Sequence, residues 1–168
     1  MFRRVVSAAA MALLLVACAK NAESPQPVEK AADATTIALH FTAAQGLNPG
    51  ANGMPAPVRV RIFELKNTAG FSRADYFALA DRAPSTLGPD LLDQDEVLLQ
   101  PGQQLTIDRT LNAATRQVGL VVGYREIDRA QWRLVLAVAP RETREFQIGL
   151  DARAVSNDAA AHPTRPAQ

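Results

Sequence analysis

Cysteine is almost absent from this chain. The sequence of 168 residues contains one cysteine, Cys18, close to its N-terminus. A single thiol cannot form an internal disulfide, and structural metal sites and redox pairs built from cysteine need at least two. The fold must therefore depend on the burial of apolar side chains.

Histidine is nearly as scarce, because only His40 and His162 occur. His162 lies in a polar C-terminal segment, so an imidazole-based triad or metal site would have to be built on His40 alone. The acidic cluster at 90–96 lacks the spacing and the glycine of an EF-hand, and no glycine-rich loop joins a strand to a helix as in phosphate-binding motifs. We expect no catalytic residue, no metal, no cofactor and no small-molecule substrate, and interpret the protein as a non-enzyme.

The chain also lacks a strong charge of either sign. It has 18 basic and 17 acidic side chains, which gives no reason to expect nucleic acid as a partner. Removal of residues 1–17 as a leader would leave 168 − 17 = 151 residues. That length is sufficient for one domain with a real core.

The N-terminus has the pattern of a lipoprotein signal. Arg3 and Arg4 precede a mainly apolar run, Val5 to Ala17, of signal-peptide length. That run is shorter than the roughly 20 residues that span a bilayer. It ends in Leu-Val-Ala-Cys, a lipobox, so 1–17 is interpreted as a signal peptide and Cys18 as the site of covalent acyl chains. The opposing interpretation, a buried free cysteine in a core helix, fits the charged start poorly.

The next segment and the last one are polar and rich in small residues. Residues 18–35 contain two prolines and little apolar periodicity, which is typical of a flexible tether after the lipidated cysteine. Residues 152–168 are rich in alanine and contain two prolines, which favours a disordered tail. The folded domain is therefore predicted over 36–151.

Between these segments apolar and polar residues alternate, as in half-buried strands. Predicted strands cover 36–43, 58–65, 96–99, 104–111, 118–126, 132–138 and 144–150. The side chains expected inside are Ile37, Leu39, Phe41, Val58, Val60, Ile62, Leu120, Val122, Leu134, Leu136, Phe146 and Ile148. Short connections between the later strands favour antiparallel pairing. The sequence predicts an all-β fold, a two-sheet antiparallel β-sandwich.

One short helical insertion is predicted. Ser72 is a candidate N-cap with Asp75 three residues later, and Phe71 and Tyr76 have the spacing of a hydrophobic staple. The helix would end near Ala80. The following residues, 81–95, are interpreted as a surface connection.

A long loop between the first two strands is the main candidate for a functional site. Residues 45–57 contain three glycines and three prolines, and loops of this length are usually functional or disordered. We interpret Leu47 and Met54 as apolar side chains displayed for docking. A mobile insertion without a role is the alternative.

Taken in order, several segments resemble the TssJ family, the outer-membrane lipoproteins of the bacterial type VI secretion system. The segments are LNPGANGMPAPVRVRIFEL, FSRADYFAL, DQDEVLLQPGQ, VGLVVGYREI and QWRLVL. The resemblance extends from Cys18 to about Val155. It implies a transthyretin-like β-sandwich, a lipid anchor on the periplasmic face of the outer membrane, and a structural role in the membrane complex.

The resemblance further implies a partner, the periplasmic C-terminal domain of the inner-membrane protein TssM. In this family the loop between the first two strands contacts that partner. The loop positions that correspond are Leu47, Asn48, Pro49, Gly50, Ala51, Asn52, Gly53, Met54 and Pro55.

Two other functions remain open on the sequence. A ligand-binding lipoprotein facing the periplasm would need a closed apolar cavity with converging polar groups. The second open function is that of a hydrolase, because transthyretin-like sandwiches include hydroxyisourate hydrolases. Those enzymes need several histidines and a Tyr-Arg-Gly-Ser ending, whereas this sequence ends in Pro-Thr-Arg-Pro-Ala-Gln.

The lipobox leads to a first prediction. Cys18→Ser removes the thiol that carries the acyl chain, so the variant should not be labelled with palmitate. The substitution should also abolish type VI secretion. Because Ala19 stands where an inner-membrane retention signal would place aspartate, the wild type should fractionate with the outer membrane. Wild-type protein in inner-membrane fractions would contradict the sorting part.

Overall fold

The computed structural model describes residues 34–157. The strands are β1 (Thr36–Ala43), β2 (Val58–Leu65), β3 (Leu91–Leu99), β4 (Gln104–Thr110), β5 (Gln117–Val122), β6 (Arg133–Ala137), β7 (Thr143–Leu150) and β8 (Val155–Asn157). The helices are α1 (Ala69–Arg73) and α2 (Tyr76–Leu87), and short 3-10 turns span Gly88–Asp90 and Ile127–Arg129. The predicted signal peptide, Cys18 and most of the predicted tether and tail lie outside the described residues. Within 34–157, no helix has the length and hydropathy needed to cross a bilayer.

Two four-stranded sheets pack face to face. Sheet A has the order β4-β1-β7-β8 and sheet B the order β3-β2-β5-β6. The predicted sandwich is confirmed, and the pairs are antiparallel except for β1 with β7, which is parallel. The short connections that favoured antiparallel pairing constrain only consecutive strands, and β1 and β7 are separated by most of the domain. The purely antiparallel arrangement was therefore wrong at one pair.

The main core lies between the inner faces of the two sheets. In sheet A, Leu39 is the neighbour of Ile107 on β4 and of Phe146 on β7. Leu39 is fully buried, as are Val60 and Leu120 of sheet B. Of the twelve side chains predicted inside, only Leu134 is partly buried, since β6 is the edge strand of sheet B. Strand alternation thus located this core correctly.

A second, smaller core lies on the outer face of sheet B, beneath the two helices. Phe71 of α1 is fully buried and packs against Phe63, with ring centroids 5.8 Å apart. A Cβ at Gly119 of β5 would lie 2.6 Å from the Phe71 ring, so this close approach requires glycine. Arg133 of β6 donates hydrogen bonds to the carbonyl oxygens of Phe71 and Ala74, which fixes the end of α1 to the sheet.

The helical insertion differs from its prediction. Ser72 lies inside α1, and the N-cap of the longer helix is Asp75, whose Oδ1 accepts a hydrogen bond from Ala78 N–H at 2.8 Å. Phe71 is no staple because the second core buries it. The helix continues past Ala80 to Leu87, although Pro84 leaves a kink at Arg82, where φ is −137°.

Residues 81–95, predicted as a surface connection, contain most of α2 and the first half of β3. Four apolar residues on one face of α2 are buried against sheet B and outweigh the proline. They are Leu79, Ala80, Ala83 and Leu87. The start of β3 is an edge strand with consecutive exposed residues, so it shows no alternation. This explains why the sequence predicted only 96–99.

The C-terminal boundary also differs. Val155 is fully buried and pairs with Leu150, so β8 belongs to sheet A and the domain extends to at least Asn157. A strand of three residues is too short to show a period. At the end of β5 the error is opposite: the strand stops at Val122, because Tyr124 N–H turns back to donate to Val122 O at 3.0 Å.

The location of the main core can be tested with two leucines. Leu39→Ala should lower the free energy of unfolding by about 2–5 kcal/mol, since it leaves a cavity between the sheets. Leu98→Ala, at a side chain that is 58% exposed, should change it by less than about 0.5 kcal/mol. Urea unfolding followed by the fluorescence of the single tryptophan measures both. Equal losses would contradict the assignment of Leu39 to the core.

Candidate functional site

Four connections of the sandwich lie at one end, which we call the loop end. They are the β1–β2 loop (44–57), the β3–β4 turn (100–103), the β5–β6 connection (123–132) and the β7–β8 hairpin (151–154). Backbone hydrogen bonds join them: Ala44 accepts from Gly102 N–H at 3.2 Å, and Ala44 N–H donates to Leu150 O at 2.8 Å. Thr36, where β1 begins, lies at the opposite end of the sheet. The loop end is the candidate site because it contains the predicted loop.

The base of the β1–β2 loop is part of the fold. Leu47 is fully buried in the main core, and Asn48 is 4% exposed. The prediction that Leu47 is displayed was therefore wrong. Leu47 O accepts a hydrogen bond from Ala56 N–H at 3.0 Å, which closes the loop into a narrow neck. The Leu47 side chain covers the main core at this end of the sandwich, where the apolar side chains between the sheets would otherwise face solvent.

Asn48 joins three segments of the chain. Its Nδ2 donates to Pro57 O at 2.8 Å, and its Oδ1 accepts from Arg125 N–H at 2.8 Å. Its own N–H donates to Ala152 O at 3.1 Å. The backbone φ of Asn48 is 48°, a left-handed value that asparagine tolerates better than most residues. Asn48 therefore closes the loop on its own last residue, Pro57, and fixes it to the β5–β6 connection and to the β7–β8 hairpin.

Beyond this base the loop projects an ordered tip, residues 49–55. Gly50 N–H donates to Met54 O at 3.0 Å, and Gly53 N–H donates to Gly50 O at 2.9 Å. Asn52 Oδ1 accepts from Met54 N–H at 3.1 Å. Residues 51–55 are all exposed, and Met54 is 62% exposed. The predicted site thus divides into two buried residues that support the loop and a protruding tip that presents one apolar side chain.

The β5–β6 connection lies beside this tip. A Cβ at Gly50 would be 2.6 Å from Nη1 of Arg125, so the guanidinium rests against the loop backbone. The next residue, Glu126, forms a double hydrogen bond with Arg153 of the hairpin, at 2.9 and 3.2 Å. The hydrogen bond from Arg153 holds the pKa of Glu126 below its usual value, so this carboxylate is ionised and engaged. Sequence reasoning missed the pair because its members are 27 positions apart.

Two further exposed apolar side chains border the loop end on the outer face of sheet B. Leu98, one residue before the end of β3, is 58% exposed, and Phe77 of α2 is 60% exposed. Phe77 packs edge-on against Tyr76, whose hydroxyl lies against Gly123 of the β5–β6 connection. Together with Met54 they are large apolar side chains that this part of the described structure leaves exposed.

Tyr124 of the same connection is buried beneath the loop end, with 4% exposure. Its hydroxyl has no hydrogen-bond partner among residues 34–157. Burial raises the pKa of this phenol above its ordinary value, with a smaller contribution from Asp151, so the group stays neutral. Tyr124 therefore contributes packing to the site rather than charge.

The residues that could have supported other chemistry are engaged in the sheets. His40 Nδ1 is 3.0 Å from Thr106 Oγ1 on the outer face of sheet A. The acidic cluster lies largely in β3, where Asp93 and Asp95 form ion pairs with Arg109 at 2.9 and 3.0 Å. Across the described part of the chain, no three His, Cys, Asp or Glu side chains are grouped as metal ligands would be.

The role of Asn48 can be tested by separating its two hydrogen bonds. Asn48→Asp keeps an acceptor for Arg125 N–H but cannot donate to Pro57, whereas Asn48→Gly loses both and keeps the left-handed backbone. Asn48→Gly should destabilise the domain by about 1–3 kcal/mol, from the unpaired groups it leaves. Amide hydrogen exchange at Arg125 should accelerate in Asn48→Gly and much less in Asn48→Asp. Unchanged exchange in Asn48→Gly would show that the bond does not hold the connection.

Comparison with known proteins gives a consistent result. The sequence matches the family of type VI secretion lipoproteins (VasD, EvfM, TssJ) over residues 35–153. Comparison with curated proteins finds no match. The structure is similar to that of the T6SS lipoprotein TssJ1 from Pseudomonas aeruginosa, with 48% identity, a TM-score of 0.72, and coverage of 80% of this chain and 99% of that one.

Two more distant structures show the same fold. Serratia marcescens Lip, a membrane-bound component of the type VI secretion system, is 27% identical with a TM-score of 0.69, covering 75% of this chain and 98% of its own. A chain in the structure of the T6SS protein TssM C-terminal domain from EAEC is 29% identical with a TM-score of 0.62, covering 73% and 96%. The lipobox, the two-sheet sandwich with its helical insertion and these matches lead to one conclusion: the chain belongs to the TssJ family of type VI secretion lipoproteins.

Proposed function

We propose that this protein anchors the periplasmic C-terminal domain of TssM to the outer membrane, with Cys18 as the lipid attachment site. The observation that carries the proposal is the position of the β1–β2 tip relative to Thr36. The segment that connects Cys18 to the domain reaches β1 at one end of the sandwich, and the tip protrudes from the other.

This arrangement leaves the tip at the end of the domain away from the tether. β1 has eight residues and spans about 26 Å. The segment that follows Cys18 joins β1 at Thr36, so the loop end lies a full strand length from this attachment point. Attachment through this segment therefore leaves the loop end free to contact a protein that spans the periplasm from the inner membrane.

The proposed partner is supported by the family and by one relative. A chain with the same fold is present in the structure of the EAEC TssM C-terminal domain. The contact residues proposed here are the ordered tip, residues 49–55, with Leu47 and Asn48 as its support. Because the tip is already ordered before binding, less conformational entropy is lost when the partner binds.

The same geometry favours a structural role over the alternatives. The main core fills the space between the sheets, and the depressions on the described surface are open and mostly polar. One on sheet B is lined by Arg61, Phe63 and Glu96 among others, and one at the loop end by residues 125–129. Such a surface lacks the apolar enclosure of a ligand site. We therefore propose a non-catalytic lipoprotein without cofactor, located on the periplasmic face of the outer membrane.

The tip alone is too small for a stable interface. Specific interfaces bury about 800 Å² on each partner, from roughly 20–30 residues, whereas the tip has seven. The contact must therefore extend to neighbouring parts of the loop end. Leu98 and Phe77 are apolar candidates for this extension.

Replacement of the tip tests the proposed contact. Residues 50–55 are exchanged for a Gly-Ser linker of equal length in the full-length protein, and Leu47 and Asn48 are retained. Affinity for the TssM periplasmic domain should fall at least tenfold, about 1.4 kcal/mol, because Met54 and the ordered turn are lost. The melting temperature should change little.

The matched control exchanges residues 139–142, the β6–β7 connection at the opposite end, for the same linker. Calorimetric titration should give the wild-type affinity for this control. If the tip replacement binds as tightly as the wild type, the proposed contact is wrong. An exchange that began at residue 47 would remove a core side chain and could not separate binding from folding.

A further inference from the structure

Arg125 has an unusual position at the loop end. Its side chain is exposed, and among residues 34–157 its guanidinium has no ion pair or hydrogen bond. The two other arginines of this region are engaged, because Arg153 and Arg129 both lie within ion-pair distance of Glu126. Arg125 is therefore the cation at this end that lacks a carboxylate in its own domain.

The backbone of Arg125 is nevertheless held in place. Asn48 fixes the backbone of Arg125 through the hydrogen bond to its N–H at 2.8 Å. The side chain then lies against Gly50, where a Cβ would come within 2.6 Å of Nη1. Absence of a side chain at Gly50 thus allows the planar group to rest on the tip backbone, at the base of the turn that presents Met54.

The surroundings make this one charge distinctive. The β1–β2 loop, residues 44–57, and the β3–β4 turn, residues 100–103, contain no charged side chain. A surface that covered the tip would therefore meet the guanidinium of Arg125 next to apolar and backbone groups. Burying that guanidinium without a counter-charge would be costly. A planar carboxylate can satisfy it with two parallel hydrogen bonds.

We propose that Arg125 is a specificity-determining contact of the tip, and that it binds an aspartate or glutamate side chain of the partner beside an apolar recess that accepts Met54. This proposal rests on the proposed function, because it assumes that the tip is the docking surface. It adds the chemistry that the partner must present. A lipid headgroup is less suited, since the neighbouring arginines are already paired with Glu126 and a phosphate surface is best bound by several free cations.

The experiment compares Arg125 variants of the full-length protein by titration with the TssM periplasmic domain. Arg125→Gln should weaken binding about tenfold, since it removes the charge and the fork-shaped donor set. Arg125→Lys, which keeps the charge but not the fork, should recover only part of that loss. Arg125→Glu should weaken binding more than Arg125→Gln, because two carboxylates would then face each other.

Gly50→Ala tests the geometry independently of the charge. The added Cβ would displace the guanidinium while leaving Arg125 present, so binding should weaken although the net charge is unchanged. The matched control is Arg82→Gln, at an exposed arginine of α2 that has no ion pair within the described range. That control should bind as the wild type does.

Salt dependence supplies a second readout. Raising ionic strength from about 0.05 to 0.5 M screens exposed charges, so wild-type affinity should fall more steeply with salt than that of Arg125→Gln. Equal affinity of wild type and Arg125→Gln, with equal salt dependence, would overturn the proposal. So would a loss confined to binding of phosphatidylglycerol vesicles, which would assign Arg125 to lipid.

The outcomes separate this proposal from the proposed function. If the tip replacement abolishes binding and the Arg125 variants do not weaken it, the tip is the docking surface and the carboxylate contact is wrong. If neither change weakens binding, the docking surface itself is wrong. If the tip replacement and the Arg125 variants both weaken binding, and Arg82→Gln does not, both proposals are supported.

Discussion

The alternation of side chains along β1 is the constraint on which the rest of this structure depends. Leu39 faces the core between the sheets, while the next residue, His40, faces outward and pairs with Thr106. A slip of one residue would exchange them and bury a row of polar groups. Because no disulfide can correct such a slip, the burial of this face determines the register of β1 with both β4 and β7. The ends of all three strands then follow.

Fixed strand ends determine where the connections meet. Once β1 ends at Ala43 and β7 at Leu150, the β1–β2 loop and the β7–β8 hairpin must leave the sandwich side by side. Leu47 closes the core at that point, and Asn48 pairs the backbone groups that these connections would otherwise leave unsatisfied. The loop that looks like an insertion in the sequence therefore completes the fold with its first residues and presents a surface with the following ones.

How much could be predicted from the sequence depended on the range of the interactions involved. β1 and β2 were predicted with their observed bounds because alternation is a local pattern. The choice of Asp75 over Ser72 as N-cap was not local, since it depends on Phe71 being buried between α1 and the outer face of sheet B. The partition of the loop was missed for the same reason: Asn48 bonds to Arg125, 77 positions away. Length and composition identified the loop as a candidate, but only the contacts of the folded chain show which residues support it.

This division of the loop has a consequence for binding. A tip whose backbone is closed by its own hydrogen bonds, on a neck fixed by Asn48, loses little conformational freedom when a partner covers it. The lipid anchor expected at Cys18 needs no such order, because the acyl chains act through burial in the bilayer rather than through shape. Rigidity is required only where shape is recognised. At the end of the sandwich opposite Thr36, Leu47 supplies this support through its burial in the core, and Asn48 supplies it through hydrogen bonds to the backbone.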